Sequence, residues 1–333
     1  MDISVALAAG AVGAGFGFVL QRGRFCLNSA FRDVLYIKDV TILRAYLLAL
    51  VIATVGANLL EQFGVLRLDQ GRQEFAWLAN ILGGYLFGIG MVLAGGCASG
   101  TWYRVGEGLV GSWMAALGFM IGAAAVRNGA LSGLYAYLRG FVLSPGGSVT
   151  VDGALGVNRW VVILPASVLA LALAFSGRKT YNPGRTEYHW RKTGALVGLV
   201  SVLGWYASHV IAGSAAGISF TIPSEELLLS LTTGCHGDWS MALLLGVPIG
   251  SCISARSLHE FSWRSPRADV MMQQFSGGLI MGAGGMLAGG CLIGHGITGI
   301  STLSAASVLS TVFMLLGSGT MVYLLFMRSP AVK

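Results

Sequence analysis

Apolar residues in this chain gather into long runs separated by short polar connections. Nine runs come close to the roughly 20 apolar residues that an α-helix needs to cross a bilayer. They are Ile3–Gln21, Leu43–Phe63, Trp77–Gly95, Leu109–Val126, Val157–Phe175, Thr193–Ala212, Trp239–Ser254, Met272–Ala288 and Ser304–Phe326. The seventh is short, and Pro248 is expected to interrupt it. Four further pieces, Phe25–Ile37, Cys97–Gly106, Pro223–Thr232 and Cys291–Ser301, each follow a Gly or Pro break. They are too short or too polar to span, which suits re-entrant or interfacial helices. The pattern predicts an all-α polytopic membrane protein with nine transmembrane helices and four short re-entrant helices.

Composition agrees. Of 333 residues, 55% are hydrophobic and 11% charged, against about 25% charged in a soluble domain. Mean hydropathy is +0.73. Length alone suggests about two domains, but the halves read as parts of one bundle over 1–333. The N-terminal run has no basic segment before it, so it reads as a first span and not as a cleaved signal peptide. The net charge of +7 is explained by basic cytoplasmic loops, not by a nucleic-acid partner. With the N-terminus outside and the C-terminus in the cytoplasm, sixteen Lys and Arg fall on inner segments and five on outer ones. The loop Ser176–Lys192, "SGRKTYNPGRTEYHWRK", is the strongest anchor of that orientation.

The chain also repeats itself. Gly83–Gly100 aligns with Gly277–Gly294 at ten of eighteen positions, and the shared core is LAGGC. The same offset brings Gly56 onto Gly250. Corresponding spans lie five apart, an odd number, so the halves must cross the membrane in opposite directions. The inverted repeats cover roughly 1–130 and 193–327, and span 157–175 links them. Interrupted helices in such repeats meet near the bilayer midplane and form the substrate site. If both breaks fold back, the thiols of Cys97 and Cys291 are expected to approach each other on the pseudo-two-fold axis. Gly95, Gly96, Gly289 and Gly290 give these breaks positive φ angles and close backbone approach.

None of the five cysteines forms a C-x-x-C pair or a zinc-like spacing, so free thiols and no metal are expected. A thiol in an apolar constriction suits a soft, sulfur-bearing ligand, and half-helix N-termini favour an anion. His295, one helical turn past Cys291, either tunes that thiol, meets an anion at the mouth or caps a short helix. Arg22 and Arg24 stand where an exiting anion would meet them, whereas Arg32 reads as a positive-inside anchor. Arg104 and Glu107, at i and i+3, are expected to pair with each other; ionisable groups at such depth are also functional candidates. Glu225 and Glu226 are expected outside, at the start of a helix after Pro223. Gly83, Gly84, Gly88 and Gly90 read as helix-packing positions. No nucleotide-binding loop occurs, and no cofactor or catalytic residue is implied.

Three stretches, "GFVLQRGRFCLNSAFRDV", "LAGGCASGTWYRVGEG" and "LAGGCLIGHGITG", resemble the signature regions of the YeeE/YedE sulfur transport family, nearly over the full chain. The resemblance implies an hourglass-shaped protein of the bacterial inner membrane that takes thiosulfate into the cytoplasm. It also implies a relay of the ion from Cys291 to Cys97 to Cys26 by transient S–H···S contacts. A small cytoplasmic sulfur carrier of the TusA type, YeeD, is the implied partner. Cys235 and Cys252 match no signature position. Two alternatives stay open: a permease for another sulfur or selenium species, and a membrane thiol oxidoreductase or sulfurtransferase built on Cys291 and His295.

Overall fold

Each apolar run forms a helix. The structure, a computed structural model, describes residues 3–68, 74–143, 149–176, 187–234 and 237–327. In chain order the helices are α1 (Ile3–Arg22), α2 (Leu27–Tyr36), α3 (Thr41–Gln62), α4 (Trp77–Leu93), α5 (Ala98–Gly106), α6 (Val110–Arg127) and α7 (Ser132–Arg139). There follow α8 (Val151–Leu155), α9 (Arg159–Phe175), α10 (Trp190–Ala212), α11 (Thr221–Thr233), α12 (Trp239–Ser257) and α13 (Ala268–Ala288). A π-helical segment, Gly294–Gly299, then leads to α14 (Ala305–Val322). Among the described residues there is no extended strand, only isolated bridges.

Seven helical stretches among the described residues are long and apolar enough to cross a membrane. Two of them, Ile3–Tyr36 and Trp77–Gly106, join a long helix to the short one that follows it. The protein is therefore a multi-pass, all-α membrane protein. The two other expected spans are helices but weaker ones. α9 has 17 residues, and α13 has 21, diluted by Gln273, Gln274 and its glycines. Pro248 does not interrupt the seventh run: α12 continues through it from Trp239 to Ser257. A neighbouring backbone covers that turn, because Gly106 of α5 lies directly against the Pro248 carbonyl. Tertiary packing of this kind lets a membrane helix carry a proline.

Two helix pairs form one side of the bundle, α1 on α12 and α3 on α10, with α1 also touching α10. On the other side α13 packs between α4 and α6, and α14 lies on α4. α9 sits outside against α3. Of its side chains only Ile163 and Ala174 are buried, while Leu164, Val168 and Leu169 are exposed, as a lipid-facing surface requires. Between helices in lipid there is little hydrophobic driving force, so close packing must hold them. Small residues supply it. A Cβ on Gly88 would overlap the Met314 carbonyl of α14 and approach the Ser318 nitrogen at 2.7 Å. Gly88→Leu should therefore lower stability by about 1–3 kcal/mol or more through overpacking. Gly133→Leu should not, because nothing lies within 4 Å of a Cβ there. Thermal unfolding of the two variants in detergent checks the contrast.

Polar side chains close the gaps where helices stop. Asn80 donates to the Ala288 carbonyl at 3.0 Å and to Ser310 at 2.7 Å. Asn58 donates to the Ser301 carbonyl at 2.8 Å, and Tyr46 to the Gly296 carbonyl at 2.7 Å. Backbone carbonyls freed by a broken helix need such donors at membrane depth.

Candidate functional site

The three predicted pathway cysteines occupy one local geometry. Each is the residue on which a short helix begins. Cys26 opens α2 with extended angles, φ −140° and ψ 120°. Cys97 opens α5 at φ −71° and ψ 171°. Cys291 stands immediately before the short helix that contains Gly294–Gly299. An N-terminal turn has backbone N–H groups without helical partners. At Cys291 one is visibly used: the Gly294 N–H donates to Sγ at 3.3 Å.

The glycines before two of these thiols make the turn possible. Gly95 has φ +75° and Gly289 φ +92°, the left-handed region where a Cβ is penalised. The second glycine of each pair keeps space open. A Cβ on Gly96 would lie 3.0 Å from Arg104 Nη1, and one on Gly290 would lie 3.1 Å from His295 Nε2. Before Cys26 the left-handed residue is instead Arg24, at φ +46°.

Cys26 and Cys97 are brought together. Their Sγ atoms are 3.6 Å apart and both residues are buried. This is far beyond the 2.05 Å of a disulfide and suits a weak S–H···S contact. Ser99 Oγ lies 3.4 Å from Cys97 Sγ. Cys97's thiol partner is Cys26, a contact the repeat did not predict, and Cys291 has no thiol within 4.0 Å among the described residues. α2 folds back from the end of α1, which carries Cys26 to the start of α5. Cys252 stays apart on α12, half-buried. Cys235 lies outside the described residues.

The charged candidates are rearranged as well. Glu107 takes Arg24, at 2.7 Å, and not Arg104. Arg24 also binds Glu260 at 2.8 Å and reaches Glu187 at 4.0 Å. Gln21 joins them, donating to Glu260 at 2.9 Å and accepting from Ser254 at 2.5 Å. The reason is the direction of α5: its last turn points Glu107 at the α1–α2 corner. Arg24 is thus matched by carboxylates and is not a bare attractor for anions. Arg104 instead donates to the Gly95 carbonyl at 2.6 Å, capping the end of α4. Arg22 lies over the rings of Phe18 and Tyr188, and Arg32 pairs with Asp33 at 2.8 Å. His295 is buried; Nδ1 is 3.0 Å from Ser307 Oγ, and its backbone N–H donates to the Cys291 carbonyl at 2.8 Å. Glu225 is also buried, bound to Arg127 at 3.0 Å and to Asn128. The Arg127 guanidinium compensates the charge of a carboxylate that burial would otherwise penalise.

Several contributors were not readable from the sequence. Glu260 and Gln21 are 239 positions apart, and nothing local announces their contact. Gly100 carried a signal that went unused. It is the last identical position of the repeat, and a Cβ there would come 2.6 Å from Cys26 Sγ and 3.5 Å from Cys97 Sγ. A cavity of about 400 Å³ is lined by Ser29, three residues after Cys26, with Tyr103, Arg104, Glu107, Arg24 and Glu260 among others.

A family model described as "Sulphur transport" matches residues 22–320. Two curated relatives are similar over almost the whole chain, both called "Thiosulfate transporter TsuA". One, from Spirochaeta thermophila, is 37% identical over 95% of this chain and 98% of its own length. The other, from Escherichia coli, is 35% identical over 95% of this chain and 93% of its own. A third relative, "Probable transporter YedE" of Escherichia coli, is 36% identical over 33% of this chain and 27% of its own length.

Proposed function

Because the chain belongs to the sulphur transport family, we propose that it carries thiosulfate across the cytoplasmic membrane into the cell. The observation that carries this reading is the buried thiol pair, Cys26 and Cys97, 3.6 Å apart at the starts of two short helices. Thiosulfate has one soft terminal sulfur and three hard oxygens. Each S–H is a weak donor for the terminal sulfur. The unsatisfied N–H groups and positive ends of α2 and α5 favour the oxyanion. The thiols work as S–H; a thiolate would repel a dianion.

The ion passes from Cys291 to Cys97 to Cys26, outside to inside. Cys97 and Cys26 are already within contact distance, so the inner handover needs little movement. The path sits between two inverted halves, roughly 1–130 and 193–327, in a nine-span chain with its N-terminus outside. The packing pattern supports that symmetry. Exchanging α1, α3, α4 and α6 for α10, α12, α13 and α14 turns the α1–α12 contact into α10–α3. It turns α4–α14 into α13–α6 and leaves α4–α13 and α1–α10 as they are. The same exchange carries α5 on α6 into Gly294–Gly299 on α14. On the cytoplasmic side the 400 Å³ cavity is where a TusA-type sulfur carrier, YeeD, receives the ion. The protein is a transporter and not an enzyme on this reading.

A bacterial strain lacking its own sulfate and thiosulfate uptake tests this. Expressing the chain should restore growth on thiosulfate as sole sulfur source. Failure to grow, with the protein present in the membrane, contradicts the reading.

A further inference from the structure

Two arginines, Arg24 and Arg104, line the 400 Å³ cavity, and their surroundings differ. Arg24 is held by Glu107, Glu260 and Glu187. Arg104 has no carboxylate within 4.0 Å among the described residues; it donates to the neutral Gly95 carbonyl at 2.6 Å and lies over the Tyr103 ring at 5.6 Å. It lines the cavity beside Ser29 and Tyr103, and its charge acts on Cys26. Glu107 is the carboxylate its field also reaches, but that group is committed to Arg24 at 2.7 Å.

An arginine partly buried at this depth without an anionic partner is costly. A guanidinium carries five N–H donors in a rigid plane. The Gly95 carbonyl takes one of them and fixes the plane. Gly96 leaves room for that plane, because a Cβ there would press on Nη1 at 3.0 Å. The second glycine of the AGGC break thus serves the arginine as well as the turn. Ser29, on the cavity wall, is three residues beyond Cys26 and belongs to the first turn of α2. The cavity therefore runs from Arg104 to the first turn of a helix that starts on a pathway thiol.

We propose that Arg104 is the oxyanion-binding residue of the inner site: it holds the sulfonate oxygens of a thiosulfate-like anion while the terminal sulfur faces Cys26 and Cys97. This rests on the transport reading above and adds the group that recognises the hard end of the ion. It also divides labour between the two arginines. Arg104 receives the anion, and Arg24, tied to its carboxylates, braces the wall through which the anion leaves.

Purified protein in liposomes tests this with radiolabelled thiosulfate, for the wild type, Arg104→Gln and Arg104→Lys, alongside thermal unfolding with and without thiosulfate. Arg104→Gln should raise KM about tenfold or more, equivalent to about 1.4 kcal/mol, with a smaller change in Vmax. It should lose the thiosulfate-dependent rise in Tm while its ligand-free Tm stays near the wild type. Arg104→Lys should recover part of the KM, since charge returns without the planar fork. A purely structural cap on Gly95 predicts the opposite: a lower ligand-free Tm and Vmax with KM unchanged, which overturns the assignment. If Arg104→Gln does not assemble, Arg104→Lys decides. A raised KM at wild-type Tm supports the site, and wild-type KM with a wild-type thiosulfate shift overturns it. Wild-type liposomes that take up no thiosulfate overturn the transport reading and this assignment together. Wild-type uptake with an unchanged KM in Arg104→Gln overturns the assignment alone.

Discussion

Replacing Cys97 with alanine is expected to reduce thiosulfate uptake to the level of protein-free liposomes while the protein stays folded. In the proposed path Cys97 is the central thiol, 3.6 Å from Cys26 and 3.4 Å from Ser99 Oγ. Without it the ion loses its donor between the outer thiol and the inner one. The stability cost should be small, about 1 kcal/mol, because one buried heavy atom is removed. Cys97→Ser is the sharper comparison. It keeps the volume nearly constant and restores a hydrogen-bond donor, but a hydroxyl is a hard donor with poor affinity for a soft sulfur. Uptake by the serine variant near the wild-type rate would mean that any small donor suffices at this point. Membrane expression and unfolding temperature, measured beside uptake, separate a lost path from a lost fold.

Gly100→Ala is expected to have the second large effect, and to act without touching a sulfur atom. Its Cβ would sit 2.6 Å from Cys26 Sγ and 3.5 Å from Cys97 Sγ. Cys26 is buried and can yield only by rotating about one bond, so the thiols must part. Overpacking of this kind costs about 1–3 kcal/mol, and uptake should fall far more than stability does. Gly294→Ala, at the equivalent place in the second break, gives the internal control. There the added Cβ would meet Cys291 Sγ at an ordinary 3.8 Å and Ser219 Oγ at 3.0 Å. It should be the milder of the two. Equal losses from both substitutions would argue that the glycines matter only for the backbone and not for the space before the thiols.

Much of the architecture could be read before any coordinates, because bilayer thickness imposes it. A helix long enough to cross must be written as a long apolar run, and the runs appear as helices close to their expected ends. The short helices were legible for a related reason. A glycine pair followed by a cysteine stops one helix and starts another, and Gly95 and Gly289 take the left-handed angles such a stop requires. Contacts that depend on how α2 and α5 fold back were not legible. Spacing alone paired Arg104 with Glu107, but the direction of α5 gave Glu107 to Arg24. Symmetry pointed to Cys97 and Cys291, but the repeat has no counterpart of Cys26, so nothing in it announced that this thiol lies 3.6 Å from Cys97. Pro248 misled for the opposite reason. Local preference said break, and the backbone of α5 against α12 overrode it.

The central claim is that this chain alone moves thiosulfate along a thiol-lined path. Uptake of radiolabelled thiosulfate by liposomes containing only the purified protein measures it most directly, with Cys97→Ala liposomes in parallel. Saturable uptake by the wild type and none above background by the variant is the expected result. Wild-type liposomes no more permeable than empty ones, or equal uptake by both proteins, would contradict it.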